Sequence, residues 1–312
     1  MKVLIVAKND YANMAYKYQE SLREVGVDAK AVTCNHPNFS CIPNHAEVCK
    51  LKKIRSYAKS AEIIQFMHSQ IIDLNLKNKR VFVFHGGSVY RRDSDKKNKL
   101  FNPIVEKSII QTGDLLGLGA KNEVWVPAGV DTNKIKPVYK RQGDKIIIGH
   151  FPSNPLVKSS SEINRAMKNI RKKFGNKFEY ISSSKKLNWN KHIQRVSKCD
   201  IYIDACTPIL KTTKSPRGNK YGEWGVAAPE AAALGKVVIS HMLSCKRYEE
   251  EFGKCEIRVA NSIQGVTNHI IKFLKMSDVE LLQIKKDTRA WVEKFHSYEF
   301  MGRRLKEEVY NI

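Results

Sequence analysis

Short apolar runs recur along the chain at residues 3–6, 63–66, 81–84, 124–126, 146–148, 201–203 and 237–239. They are rich in β-branched residues and nearly unbroken by polar ones. That is the pattern of strands covered on both faces, so it predicts parallel sheet. Between them the apolar period lengthens to three and four. Ala15, Tyr18, Leu22 and Val25 make one helical stripe, stopped by Gly26, and Ile163, Met167, Ile170 and Phe174 make another. Strands alternating with helices predict βαβ units and doubly wound sheets. The polar stretch PAGVDTNKIKPVYKRQGDK, at 127–145, separates the strand at 124 from the one at 146 and places a boundary near residue 140. The expected organisation is a Rossmann-like domain over 1–140, a second over 141–295, and a terminal helix over 296–312.

Length and composition narrow the class. A chain of 312 residues can build two cores without disulfides or structural metals. Seven cysteines, with no C-x-x-C pair, argue for reduced thiols in a cytosol-like compartment. No apolar run approaches the roughly 18 residues of a membrane span. The run in MKVLIVAKND is too short for the core of a signal peptide. The expectation is a cytoplasmic protein, at most peripheral at a membrane. The balance of 55 Lys+Arg against 31 Asp+Glu leaves +24, which selects anionic partners. The basic residues are spread out, over KLKKIRSYAK, RRDSDKKNK, KNIRKKFGNK and KTTKSPRGNK, which begin at residues 50, 91, 168 and 211. The first reads as a basic amphipathic helix with Leu51, Ile54 and Ala58 on one side. It is either a contact for an anionic membrane or a solvated face.

Two segments carry candidate chemistry. In GHFPSNPLVKSSSEINRAMKNI, from residue 149, a strand ends, a loop presents Lys158, and Ser159 with Glu162 spells a capping box opening a helix. A lysine beside a helix N-terminus makes a phosphate site, unless it is simply solvated. In YGEWGVAAPEAAALGKVVIS, from residue 221, Pro229 suits the first position of a short helix and Gly235 its C-terminal cap. Glu230 is then either a ligand-binding carboxylate or a partner of the helix dipole. The first βα turn, at Lys8, Asn9, Asp10 and Tyr11, lacks G-x-G-x-x-G, so a dinucleotide cofactor is not expected. Cys34, His36, Cys41, His45 and Cys49 match no usual zinc spacing. Asp93-Ser94-Asp95 has no strand before it and reads as a solvated loop.

These blocks together resemble the retaining GT-B glycosyltransferases (glycosyl transferases group 1), whose signature runs G-x-x-x-x-E-A-M-A-x-G-x-P-V-I. VWVPAGVDTNKIKPV, IIIGHFPSNPLVKSSSEI, FHGGSVYRR and AWVEKFHSYEFMGRRLKEEVY are similar to four further segments of that family, in the same order. The resemblance implies an α/β chain of two Rossmann-like domains, their parallel sheets facing an interdomain cleft, with the last helix returning to the first domain. It implies transfer of a hexose from a nucleotide-diphosphate sugar to a hydroxyl of a glycan, a lipid-linked sugar or modified DNA, with no metal or other cofactor. Carried over by position, Lys158 contacts the donor diphosphate and Glu230 the ribose. Gly87, Ser88, Ser153, Tyr221, Gly222, Gly225 and Val226 complete the donor side. His85 lies by the donor sugar, and Asn9, Asp10 and Arg91 (or Arg92) lie on the acceptor side. The glutamate that holds the sugar hydroxyls falls at Gly222, with Glu223 one place later. His85, Lys158 and Glu223 form the implied catalytic set. Gly222 and Pro155 support the other reading, a non-catalytic nucleotide- or polyanion-binding protein on a decayed scaffold.

Overall fold

The apolar runs become strands that stack side by side, because all but the one at 124–126 bury both faces and pair both edges. The computed structural model describes residues 1–35, 45–141, 143–206 and 222–312. Unit 1 holds β1 (Lys2–Ala7), β2 (Asp28–Thr33), β3 (Glu47–Val48), β4 (Ile63–Phe66), β5 (Arg80–His85), β6 (Lys107–Ile110) and β7 (Glu123–Trp125). They form one seven-stranded sheet in the order β3-β2-β1-β4-β5-β6-β7. Unit 2 holds β8 (Ile146–His150), β9 (Phe178–Ser182), β10 (Ile201–Ile203), β11 (Val237–Ser240) and β12 (Arg258–Val259), in the order β12-β11-β10-β8-β9. Every pairing in both sheets is parallel.

The helices are α1 (Met14–Glu24), α2 (Leu51–Ser60) and α3 (Gly87–Phe101) in unit 1. They are α4 (Ser160–Phe174), α5 (Trp189–Ser197), α6 (Ala227–Ala233), α7 (Cys245–Phe252), α8 (Ile263–Phe273) and α9 (Asp278–His296) after it. The chain ends in α10 (Tyr298–Arg303) and a π-helical turn over Arg304–Val309. Unit 1 comprises Met1–Gly129 and His296–Ile312, and unit 2 runs from Val130 to Phe295, apart from residues 207–221. Residues 130–139 are tied within unit 2. Arg289 donates to the carbonyls of Thr132 and Ile135, and Val138 N donates to Leu234 O at 3.0 Å. The terminal segment packs on α1 so closely that a Cβ on Gly302 would overlap the Ser21 carbonyl. Tyr310 stacks edge-on against Phe82 and its hydroxyl donates to Gln65. Among the described residues no helix is long and apolar enough to cross a membrane.

Each core follows the predicted stripes. In α1, Ala15, Tyr18 and Leu22 are fully buried, and Gly26 follows with φ +79°. In α4, Ile163, Met167 and Ile170 pack on Ile148, Ile201, Ile203 and Val237. Three local expectations fail for physical reasons, and a fourth is narrowed. Ser159 precedes α4, but with φ 55° its hydroxyl makes no capping bond and the box with Glu162 does not form. The helix of the second segment starts at Ala227, which moves Pro229 to its third position, still ahead of the first required N–H. Asp93 and Asp95 lie on α3, at a kink, and not in a loop. Ile54 and Ala58 of α2 face the sheet with Leu4, Val32 and Ile64. Of the apolar side that would meet a bilayer, two residues are therefore spent on the core and only Leu51 stays exposed.

Candidate functional site

In an open parallel sheet, ligands bind outside the carboxyl ends of the strands, where neighbouring connections leave in opposite directions. Each unit has one such switch point. In unit 2 it lies between β8 and β10, because the chain goes from β8 outward to β9 and then back across to β10. In unit 1 it lies between β1 and β4.

At the unit 2 switch point, the loop after β8 delivers Lys158 and the end of β10 delivers Asp204. Their Nζ and Oδ1 atoms are 2.7 Å apart, with the Lys158 side chain 12% exposed and that of Asp204 1%. Asn154 shapes the loop: its side-chain oxygen accepts from Leu156 N and Val157 N, and its carbonyl accepts from Lys158 N. The other Asp204 oxygen accepts from Ser240 Oγ at 3.1 Å and Gly225 N at 3.3 Å. Burial pushes this carboxyl up, but Lys158, His241 and the Gly225 N–H outweigh it and hold it below its ordinary value. His150, the last residue of β8, donates from Nδ1 to Ile203 O and accepts from Ser160 Oγ, both at 2.8 Å. It locks β8, β10 and the start of α4 together. Burial lowers its pKa, so it works as a neutral imidazole.

Glu230 sits in the first turn of α6 and accepts from the Trp189 indole, on α5, at 3.1 Å. A polar groove of about 620 Å³ lies between the ends of β8 and β9, lined by Ser160, Asn164, Ser182, Ser183, Ser184 and Lys185 among others. Ser153 is exposed in the loop beside it. Gly222 accepts from Leu243 N through its carbonyl, Gly225 turns its N–H to Asp204, and Val226 is the N-cap of α6. Glu223 is buried and accepts from Ser244 Oγ. Tyr221 lies outside the described residues, as do Arg217, Lys220, His36 and Cys41.

At the unit 1 switch point the partners are Asp10, after β1, and His68, after β4. Asp10 Oδ1 accepts from Ala15 N at 2.8 Å, so the carboxylate caps α1. His68 Nε2 accepts from Tyr11 N at 3.1 Å, and Asn9 N donates to Gln70 Oε1. Four residues without glycine's freedom hold left-handed backbone here: Ala12, Asn13, His68 and Ser69, with φ from 54° to 58°. Such strain costs on the order of 1 kcal/mol or more per residue and gathers where loop shape matters.

One strand further, His85 ends β5. Its Nδ1 lies 2.8 Å from Ser69 Oγ and its ring stacks on Tyr90. Burial and the field of Lys97 push its pKa down to about 3, so it is neutral at ordinary pH and acts only through hydrogen bonds. Gly87, at φ 67°, opens α3 and a side chain there would meet nothing within 4 Å; Ser88 follows on the same helix. Arg91 is buried against Asp114 at 2.7 Å, whereas Arg92 is exposed.

The structure thus brings Lys158 and Gly225 together around Asp204, with Glu230 held by Trp189, and gathers Asn9 and Asp10 at the rim of the other sheet. Asp204, Trp189, His68 and Ser69 had no sequence motif to announce them. Asp204 directly follows an apolar strand and His68 and Ser69 come within three residues of one, whereas Trp189, opening α5, carries no such signal.

No family model matches the chain, and no curated protein sequence does. Solved structures do resemble it. Anabaena HepE, solved with UDP, aligns over 100% of both chains with a TM-score of 0.63 at 12% identity. An alpha-glucosyltransferase solved with UDP-glucose and DNA containing an abasic site aligns over 97% of each chain, with a TM-score of 0.64 at 10% identity. A glycosyltransferase from Rickettsia africae aligns over 99% of this chain and 97% of its own, with a TM-score of 0.63 at 13% identity. The likeness is one of architecture: this chain has the α/β GT-B fold, built on two parallel sheets.

Proposed function

We propose that the protein is a retaining glycosyltransferase, moving a hexose from a nucleotide-diphosphate sugar to a hydroxyl acceptor. The observation that carries the reading is Lys158, fixed by Asp204 at the unit 2 switch point ahead of α4. An ammonium has three donors, so Lys158 can keep Asp204 and still reach a phosphate oxygen. With the positive end of the α4 dipole it would stabilise the charge of the leaving diphosphate without a metal. Glu230, steadied by Trp189, would take the ribose hydroxyls. The bond from the sugar's anomeric carbon to the diphosphate breaks, the bond to the acceptor oxygen forms on the same face, and the acceptor proton leaves on the diphosphate. Neutral His85, with Asn9 and Asp10, would contribute hydrogen bonds on the unit 1 side.

Structures of the same fold solved with UDP and UDP-glucose make uridine diphosphate the first nucleotide to try. The acceptor class remains a glycan, a lipid-linked sugar or modified DNA, and one of those neighbours was solved with DNA. We place the protein in the cytoplasm, where its thiols stay reduced. Any contact with an anionic membrane would run mainly through surface cations, since Ile54 and Ala58 of α2 are buried and only Leu51 of its apolar side is exposed.

A second reading has its own support. Glu223 is engaged by Ser244 and Arg91 by Asp114, so two residues carried over from the family are committed internally. That favours a nucleotide- or polyanion-binding protein without transferase activity. The test is a panel of nucleotide sugars scored by released nucleotide, beside thermal shifts with UDP, GDP and ADP. Release from one donor, lost in Lys158→Ala and Glu230→Ala, supports the transferase. Stabilisation by a nucleotide with no release from any donor selects the binder. No stabilisation by any of the three removes the donor site itself.

A further inference from the structure

The segment 163–199 holds eleven Lys and Arg against one carboxylate, Glu179, which is +10 of the chain's +24. A diphosphate needs few of these, and most are on the outside of unit 2. Helix α4 buries Ile163, Met167 and Ile170. Arg165, Lys168 and Lys172 follow at steps of three and four on the opposite side, spanning about 10 Å along the axis. Arg171, Lys173 and Lys177 carry the charge around the helix end to the start of β9, the edge strand of its sheet. All six are exposed, and among the described residues none pairs with a carboxylate. Some surface cations elsewhere do pair, such as Lys30 and Lys53 with Glu47, and Arg80 with Glu106. Cations at a helix C-terminus favour its dipole, and a lysine or two guards a sheet edge against pairing. Neither accounts for six mutually repelling charges.

We propose that this outer face of α4 and the turn after it dock a nucleic-acid duplex through its phosphates. The chemistry of the face decides among polyanions. None of the exposed large hydrophobic residues falls within 163–199. The face therefore has no side chain to insert into a bilayer and no aromatic platform for unstacked bases. Cations alone suit a regular row of phosphates on a paired backbone. The proposal does not depend on whether the protein transfers sugar.

The test is binding of the intact protein to a labelled 20-base-pair DNA duplex, by fluorescence anisotropy, at stepped salt. We expect log affinity to fall linearly with log salt, with a slope of about −0.9 per phosphate contacted. The combined variant Arg165→Gln, Lys168→Gln, Lys172→Gln and Lys173→Gln should weaken binding at least tenfold at low salt and flatten the slope by about 3 to 4. A charge-matched control in unit 1, Lys52→Gln, Lys59→Gln, Lys77→Gln and Lys99→Gln, should bind like the parent. Melting curves of both variants establish that each is folded. Equal loss in the control overturns the proposal, because binding would then follow net charge alone. Absence of duplex binding at low salt overturns it as well. So does tighter binding to phosphatidylserine vesicles, abolished by the same four α4 changes, which would assign the face to a membrane. Nucleotide release plays no part in the readout, so failure of the transferase reading leaves this result standing.

Discussion

The two switch points use the same topology and hold their loops by different means. In unit 2 the loops after β8 and β10 meet through opposite charges, Lys158 on Asp204, in a nearly dry setting. In unit 1 the loops after β1 and β4 meet through main-chain hydrogen bonds to Asp10, His68 and Gln70, and accept four left-handed residues to do so. The first arrangement keeps a cation poised for an anion. The second fixes the shape of a rim through backbone geometry and main-chain hydrogen bonds. One pair of loops is thus held electrostatically and the other by backbone shape.

The sharpest way to break this contrast is to remove one charge from unit 2. Asp204→Ala leaves the Lys158 ammonium buried without its counter-ion, a change that costs about 3–5 kcal/mol in comparable sites. The double variant Lys158→Met with Asp204→Leu should recover much of that loss, because an apolar pair has no desolvation to repay. Urea unfolding of the singles and the double closes the cycle. If the singles add up to the double, the pair is not coupled and the contrast fails.

Acid is the next lever, and it acts on unit 1 through His85. The folded imidazole stays neutral down to about pH 3, while the unfolded one takes a proton near its ordinary 6.5. Between those values the unfolded state binds the extra proton. The stability His85 contributes is therefore complete above pH 6.5 and is lost as pH falls toward 3, at up to about 1.4 kcal/mol per pH unit. His296, held to about 4 by burial against only a carbonyl bond, tilts the curve the same way. Melting temperatures from pH 7 to 4 should decline less steeply in His85→Gln than in the parent. An unchanged slope would show that the imidazole is already charged or exposed.

How much of this was legible in the sequence depended on symmetry of environment. The strands read in advance are those whose runs bury nearly every residue, such as β1, β4 and β11. The pattern missed β9, because FEYIS at a sheet edge is only part-buried and is broken by Glu179, and β2, because DAKAVT buries small alanines that look like helix formers. It missed β3, β6 and β12 because EV, KSII and RV hold only one or two apolar residues each, too few to make a run. Lys158 and Glu230 were legible because a loop and a helix start frame them. Asp204 was not. Its meaning comes from β10 lying beside β8, and strand order is a long-range fact that local spacing does not encode. The Ser159–Glu162 box failed for the opposite reason: a local pattern was present, but the loop that carries Lys158 enters the helix left-handed.

Removing the unit 1 carboxylate should be milder than its counterpart in unit 2. Asp10→Ala loses a helix cap, worth about 1 kcal/mol, and strands no buried ammonium as Asp204→Ala does. Urea midpoints for Asp10→Ala and Asp204→Ala, measured side by side, sharpen the comparison directly. Equal costs would mean that Asp10 is bound by charge after all.

The smallest expected effect is also the one with reversed sign. Ala12 sits at φ 54° between the end of β1 and α1, where a Cβ crowds the following carbonyl. Glycine reaches that conformation freely, so Ala12→Gly relieves strain in the folded state. It also loosens the unfolded chain, which works against the gain. The difference should be a stabilisation of about 0.5 kcal/mol or less in urea, where glycine in an ordinary helix would destabilise by about 1. If the rim's shape serves a ligand, the freer loop should at the same time weaken use of a hydroxyl acceptor without changing the thermal shift given by a nucleotide. A variant that is less stable than the parent would show that the left-handed turn carries no strain, and the steric half of the contrast would go with it.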